Sequence, residues 1–119
     1  MRILIVDDNA EAAKVLLSLL HELGHNETRV ARSAATALQA AVAFDAEFVF
    51  MNVELPDMGA YDAARLIHEH PKLEARLLAL TDFGEHPGRE RARSSGFERY
   101  IVKPVTLEAL QEVLDSPRS

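Results

Sequence analysis

Five short apolar runs alternate with five segments of helical periodicity along this chain, and that order leaves few architectures open. "RILIV" (2–6) is rich in branched residues and stops at Asp7-Asp8. "ETRVAR" (27–32) alternates more weakly, as an outer strand does, whereas "EFVFMN" (47–52) is the most apolar run, as expected of a central strand buried on both faces. "RLLALT" (76–81) and "RYIVK" (99–103) complete the set. From Asn9 to Leu23, apolar residues at 13, 16, 17, 20 and 23 keep the three-and-four spacing of an amphipathic helix, and Gly24 suits its C-terminal cap. "SAATALQAAVAF" (33–44) opens on a serine cap, "YDAARLIHEH" (61–70) is stopped by Pro71, "EHPGRERARSS" (85–95) precedes Gly96, and "TLEALQEVL" (106–114) is the last helix. Strict alternation with short connections predicts an α/β domain, a parallel sheet with helices on both faces.

A chain of 119 residues accommodates one such domain. The expected domain is 1–115, with 116–119 a tail or the start of a linker. The absence of cysteine excludes disulfides, thiol catalysis and thiolate metal sites. No apolar run approaches the roughly 18 residues of a membrane span, so a cytoplasmic location without membrane contact is expected. The net charge of −6, with Lys and Arg scattered, disfavours direct nucleic-acid binding. The five histidines show no metal-ligand spacing.

In a doubly wound sheet, ligands collect beyond the carboxyl ends of the strands. That edge would gather Asp7 and Asp8 from the first strand, Asn52 from the third, Thr81 from the fourth, and Lys103 with Pro104 from the fifth. Adjacent carboxylates repel unless a cation intervenes, so the acidic pair asks for Mg²⁺. A hydroxyl and an ammonium opposite them suit the oxygens of a phosphoryl group. The plainer reading makes Asp7 and Asp8 a strand end and a helix N-cap, with Asp8 and Glu11 in a capping-box pattern. Lys103 would then be a structural ion-pair partner of either acid.

"ILIVDDN", "ELPDM", "LALTDFG" and "YIVKP" occur in order, and over residues 2–114 the chain resembles the receiver domain of two-component response regulators. The resemblance implies a flavodoxin-like (βα)5 three-layer sandwich, with a five-stranded parallel sheet in the order 2-1-3-4-5. It implies that Asp7 and Asp8 hold Mg²⁺, that Thr81 is the switch hydroxyl, and that Lys103 pairs with the phosphoryl group. Tyr100 would be the switch aromatic, and the Lys103-Pro104 bond would be cis. It implies a signalling module rather than an enzyme, whose partner is a sensor histidine kinase or another signalling protein. The partner face, also the face of a homodimer, would be the fourth helix, fifth strand and fifth helix, carrying Arg89, Arg91, Arg93, Arg99 and Tyr100.

The chain departs from the family where the chemistry is most demanding. The phospho-accepting aspartate lies four residues before the loop proline, and counting back from Pro56 gives Asn52. An amide is a far poorer nucleophile than a carboxylate and brings no charge to a metal. Asp82 stands where receivers keep a small residue and would obstruct a phosphodonor, and Gly59-Ala60 replaces the usual Asp-Gly. Glu54 could supply the missing charge, either against Lys103 or in a cation site with Asp7, Asp8 and Asn52; its plainer reading is an exposed loop carboxylate. Mg²⁺ remains allowed, with weakened affinity. The expected function is a degenerate receiver acting by protein contact. The alternatives are an ordinary response regulator with an engineered Asp-to-Asn change at 52, and a flavodoxin-like ligand binder or enzyme.

Overall fold

The computed structural model describes residues 1–55, 59–82 and 94–117. The elements run β1 (Ile3–Val6), α1 (Ala10–Glu22), β2 (Thr28–Ala31), α2 (Ala34–Phe44), β3 (Phe48–Asn52), α3 (Ala60–Glu69), β4 (Arg76–Thr81), β5 (Phe97–Val102) and a C-terminal helix (Leu107–Asp115). All neighbouring strands pair in parallel, in the order β2-β1-β3-β4-β5. The expected flavodoxin-like sandwich is therefore the one observed. The helix predicted over 85–95 lies outside the described residues except for its last two.

Alternation along each strand sorts the core into two halves. Leu4, Val6, Val49, Met51, Leu77 and Ala79 face α2 and α3, which contribute Ala37, Ala41, Ala64 and Ile67. Ile3, Ile5, Phe48, Phe50, Leu78 and Leu80 face α1 and the C-terminal helix, which contribute Leu16, Leu20, Leu110 and Val113. Each large side chain so buried contributes about 1.5–3 kcal/mol. Every residue of β3 is buried, as its composition predicted for a central strand, while β2 at the edge is mostly open. The register sets Val6 beside Met51, Asn52 beside Leu80 and Thr81 beside Val102, so the strand ends finish close together.

Helix ends follow local chemistry. Asn9, not Asp8, caps α1: its side-chain oxygen accepts from the N–H groups of Glu11 and Ala12 at 3.0 Å each. Asp8 is displaced from that role by one residue because Asn9 has the extended backbone of a cap. Gly24, at φ +92°, closes the helix, with its own N–H on His21 O and that of His25 on Leu20 O, the paired bonds of a Schellman motif. β5 starts at Phe97, two residues before the apolar run suggests. Phe97 meets Tyr61 edge-on at 6.2 Å, and Glu98 pairs with Arg76 at 2.9 Å. The Arg76 guanidinium also donates to Ser116 O at 3.0 Å and lies over the Phe48 ring, tying the chain end to the sheet.

Gly96 has φ +101°, and a Cβ there would sit 2.5 Å from Cγ of His68. Gly24 shares the positive φ, but a Cβ on it would meet nothing within 4 Å. Gly24→Ala isolates the backbone strain, about 1–2 kcal/mol. Gly96→Ala adds the steric conflict with His68, so in urea unfolding it should be the more destabilising of the two. Equal losses would show that His68 yields freely.

Candidate functional site

Asp7 follows β1 and is 2 % exposed, its backbone N–H held by Ala31 O at 3.0 Å. One carboxylate oxygen accepts from the Asn9 N–H at 3.0 Å and from Nδ2 of Asn52 at 3.3 Å. The other faces Nζ of Lys103 at 3.5 Å. Burial of an unpaired carboxylate is strongly unfavourable, and these three donors supply what water would otherwise give.

Asn52 ends β3 and is 6 % exposed. Its Oδ1 accepts the Glu54 N–H at 3.1 Å. A backbone N–H can only donate, so this bond fixes the orientation of the side chain and leaves Nδ2 for Asp7. The amide is thus used at both ends. An aspartate here could accept from Glu54 but could not donate to Asp7.

Thr81 ends β4 and is fully buried. Its hydroxyl donates to one oxygen of Glu54 at 3.1 Å, while the Asp82 N–H donates to the other at 3.0 Å. Glu54 is half-buried rather than solvated. The following bond from Val53 N–H to Leu80 O, 3.0 Å, holds the same loop against β4. Lys103 donates its backbone N–H to Thr81 O at 2.8 Å, and its bond to Pro104 is cis. A groove of about 350 Å³ opens here, lined by Asp7, Ala12, Leu16, Leu80, Asp82 and Lys103.

The structure brings Asp7, Asn52, Glu54, Thr81 and Lys103 to one corner, as the strand ends predict. The side chains of the expected cation site, Asp7, Asp8, Asn52 and Glu54, are engaged separately. Asp8 is exposed, Asn52 presents an N–H donor, and Glu54 is drawn onto Thr81 and Asp82 because two donors there match its two oxygens. Neither does Glu54 supply the anion for Lys103, which faces Asp7 instead. Among the described residues no group of three acidic or histidine side chains could hold a metal. With Lys103 and Nδ2 of Asn52 both turned to Asp7, the donor set does not fit Mg²⁺ as it stands. A cation would have to displace the ammonium and reverse the amide.

Of the expected partner face, Arg99 is exposed and pairs with Glu112 of the C-terminal helix at 3.6 Å. Tyr100, half-buried, packs on the opposite core half from its strand neighbour Ile101. Both nonetheless border a shallow groove at the sheet edge. Arg89, Arg91 and Arg93 lie outside the described residues. Backbone donors at Asn9 and Asp82 were not foreseen, since their part depends on loop geometry and not on residue type.

A parallel sheet in this order, with an acid, a hydroxyl and an ammonium converging at its C-terminal edge, defines the class of flavodoxin-like signalling receivers. The family model for the response regulator receiver domain matches residues 3–115, and the chain belongs to that family, the receivers of two-component signalling. It is 34% identical over 116 residues to the chemotaxis protein CheY-3 of Vibrio cholerae, covering 97% of this chain and 89% of that protein. The receiver domain of the sensor histidine kinase PA1611 from Pseudomonas aeruginosa superposes with a TM-score of 0.84 at 26% identity, covering 95% of this chain and 93% of the other. That domain was crystallised with a magnesium ion coordinated in its active-site cleft. A putative response regulator from Chloroflexus aurantiacus gives a TM-score of 0.87 at 27% identity, with 95% and 93% covered. No helix of the described residues is long and apolar enough to cross a membrane.

Asn52→Asp removes a donor from Asp7 and sets a second buried carboxylate against it. The variant should lose about 2–4 kcal/mol in urea unfolding with EDTA present. Added Mg²⁺ should recover part of that loss, while leaving the wild-type midpoint almost unmoved. A variant as stable as the wild type in EDTA would contradict the role assigned to the amide.

Proposed function

We propose that this chain is a degenerate receiver: it keeps the fold of a two-component phosphorelay module but works by protein contact, without acyl-phosphate chemistry and without enzymatic activity of its own. The observation that carries the reading is the hydrogen bonding of Asn52. Its amide binds Asp7 through nitrogen and the Glu54 N–H through oxygen, so the phospho-acceptor position has no nucleophilic carboxylate. Lys103 is engaged with Asp7, and Asp82 borders the groove by which a phosphodonor would approach. Mg²⁺ binding is correspondingly weak, since the fixed donors around Asp7 do the neutralising.

The partner in this reading is a sensor histidine kinase or another signalling protein. The contact, or a homodimer, uses the face built by β5, the C-terminal helix and the segment before β5, with Arg99 and Tyr100 at its described part. Neither nucleic acid nor membrane is a direct partner, in line with the net charge of −6. Tyr100 keeps the aromatic of the family's switch. Its phenolic oxygen is buried, which supports reading the ring as turned inward.

Incubation with acetyl phosphate and Mg²⁺ tests the reading directly. No hydroxylamine-labile phosphoprotein should accumulate in the wild type, and Asn52→Asp should stay inert because Glu54 and Asp82 remain. Stable labelling of the wild type overturns the proposal. Labelling of Asn52→Asp alone would return the chain to the ordinary phosphorylatable receivers, with Asn52 as its single lesion.

A further inference from the structure

Glu54 is the feature that the family membership does not explain. Its carboxylate is half-buried, and its two oxygens take two separate donors: the hydroxyl of the fully buried Thr81 and the N–H of Asp82. A hydroxyl and a backbone N–H converging on one carboxylate make a seat for an oxyanion. The geometry points to Glu54 as a tethered anion that fills this seat permanently, so that a free oxyanion such as inorganic phosphate binds there only once the carboxylate is removed.

Two further contacts support the assignment. The Glu54 backbone is itself anchored, through its N–H on Asn52 Oδ1 at 3.1 Å, so the side chain starts from a fixed point. The adjoining Val53 N–H on Leu80 O, at 3.0 Å, holds the same loop on the strand that ends in Thr81. An intramolecular group held in this way acts at a high effective concentration, and a dissolved anion of similar charge competes poorly with it. The neutral side chain at 52 is what makes the arrangement tolerable. A carboxylate at 52 would face both Asp7 and Glu54 in a poorly solvated corner with one nearby ammonium. The neutral amide and the inward glutamate therefore act together: the anion of this corner stands at position 54, in the place a phosphoryl group would take.

This deepens the proposed function, and rests on it only for the consequence that Thr81 is held without phosphorylation. The seat is tested by titrating the full chain with inorganic phosphate against chloride of equal ionic strength, following amide resonances of Thr81 and Asp82 and the unfolding temperature. The wild type should give no saturable phosphate-specific shift. Glu54→Ala should give one, with affinity raised at least about tenfold over the wild type. Glu54→Gln, which keeps the shape without the charge, should also gain a response and serves should the alanine variant fail to fold. Variants as unresponsive as the wild type overturn the inference, and so does a wild type that binds phosphate equally well. Wild-type hydrogen exchange gives an independent reading: the Asp82 amide should be protected, and rapid exchange there would count against Glu54. Inorganic phosphate transfers no phosphoryl group, so this outcome is separate from whether acetyl phosphate labels the protein.

Discussion

The side-chain amide of Asn52 joins the two halves of the pocket. Through nitrogen it satisfies a carboxylate that is almost completely buried, and through oxygen it fixes the start of the loop that carries Glu54. Neither oxygen-only nor nitrogen-only chemistry could do both. A carboxylate at that position requires a cation to be held beside Asp7, since two buried anions in contact are mutually unfavourable. An amide removes the requirement. The corner is then neutralised by fixed protein donors, with Lys103 and the Asn9 N–H completing the environment of Asp7.

Charge balance in that corner also explains where Glu54 goes. The ammonium of Lys103 faces Asp7, and among the described contacts of the second inward anion are two neutral dipoles. The Thr81 hydroxyl and the Asp82 N–H provide these, one for each oxygen. A loop carboxylate left in solvent would have been unremarkable. Drawn inward, it takes the hydroxyl of the threonine as a donor, and in the proposed reading this removes the freedom that a ligand-operated switch needs.

Much of the fold could be read from the sequence because the signals were local and periodic. The apolar runs at 2–6, 47–52 and 76–81 mark strands whose alternate residues face opposite cores, and the whole of "FVFMN" is buried, as a central strand must be. Asp7, Asn52, Thr81 and Lys103 were found by placing strand ends side by side, a step that needs topology and no side-chain geometry. What escaped depended on contacts between distant residues. The start of β5 is set by Phe97 on Tyr61 and Glu98 on Arg76, neither of which leaves a mark in local hydrophobicity. The helix cap moved from Asp8 to Asn9 because either residue type suits the position and backbone conformation decides between them. Glu54 was recognised as a group that could enter the site, but its destination was not, because the Asp82 N–H that receives it is invisible in a string of side chains.

The site is connected to the sheet edge by backbone as well as by side chains. Thr81 gives its hydroxyl to Glu54 and its carbonyl to the N–H of Lys103, and it lies beside Val102 in the β4–β5 ladder. Two residues earlier on each strand, Ala79 lies beside Tyr100. The β4–β5 ladder therefore ends at a residue whose hydroxyl is bound to an internal carboxylate. In a phosphorylated receiver the anion at this corner comes and goes, and the edge strand reports its presence. If Glu54 stands in for that anion, as proposed, it is covalently part of the chain, and the face that β5 presents is set when the protein folds. Under the proposed function, partner recognition on that face then depends on how much of the chain is present and where it is, and not on its phosphorylation state.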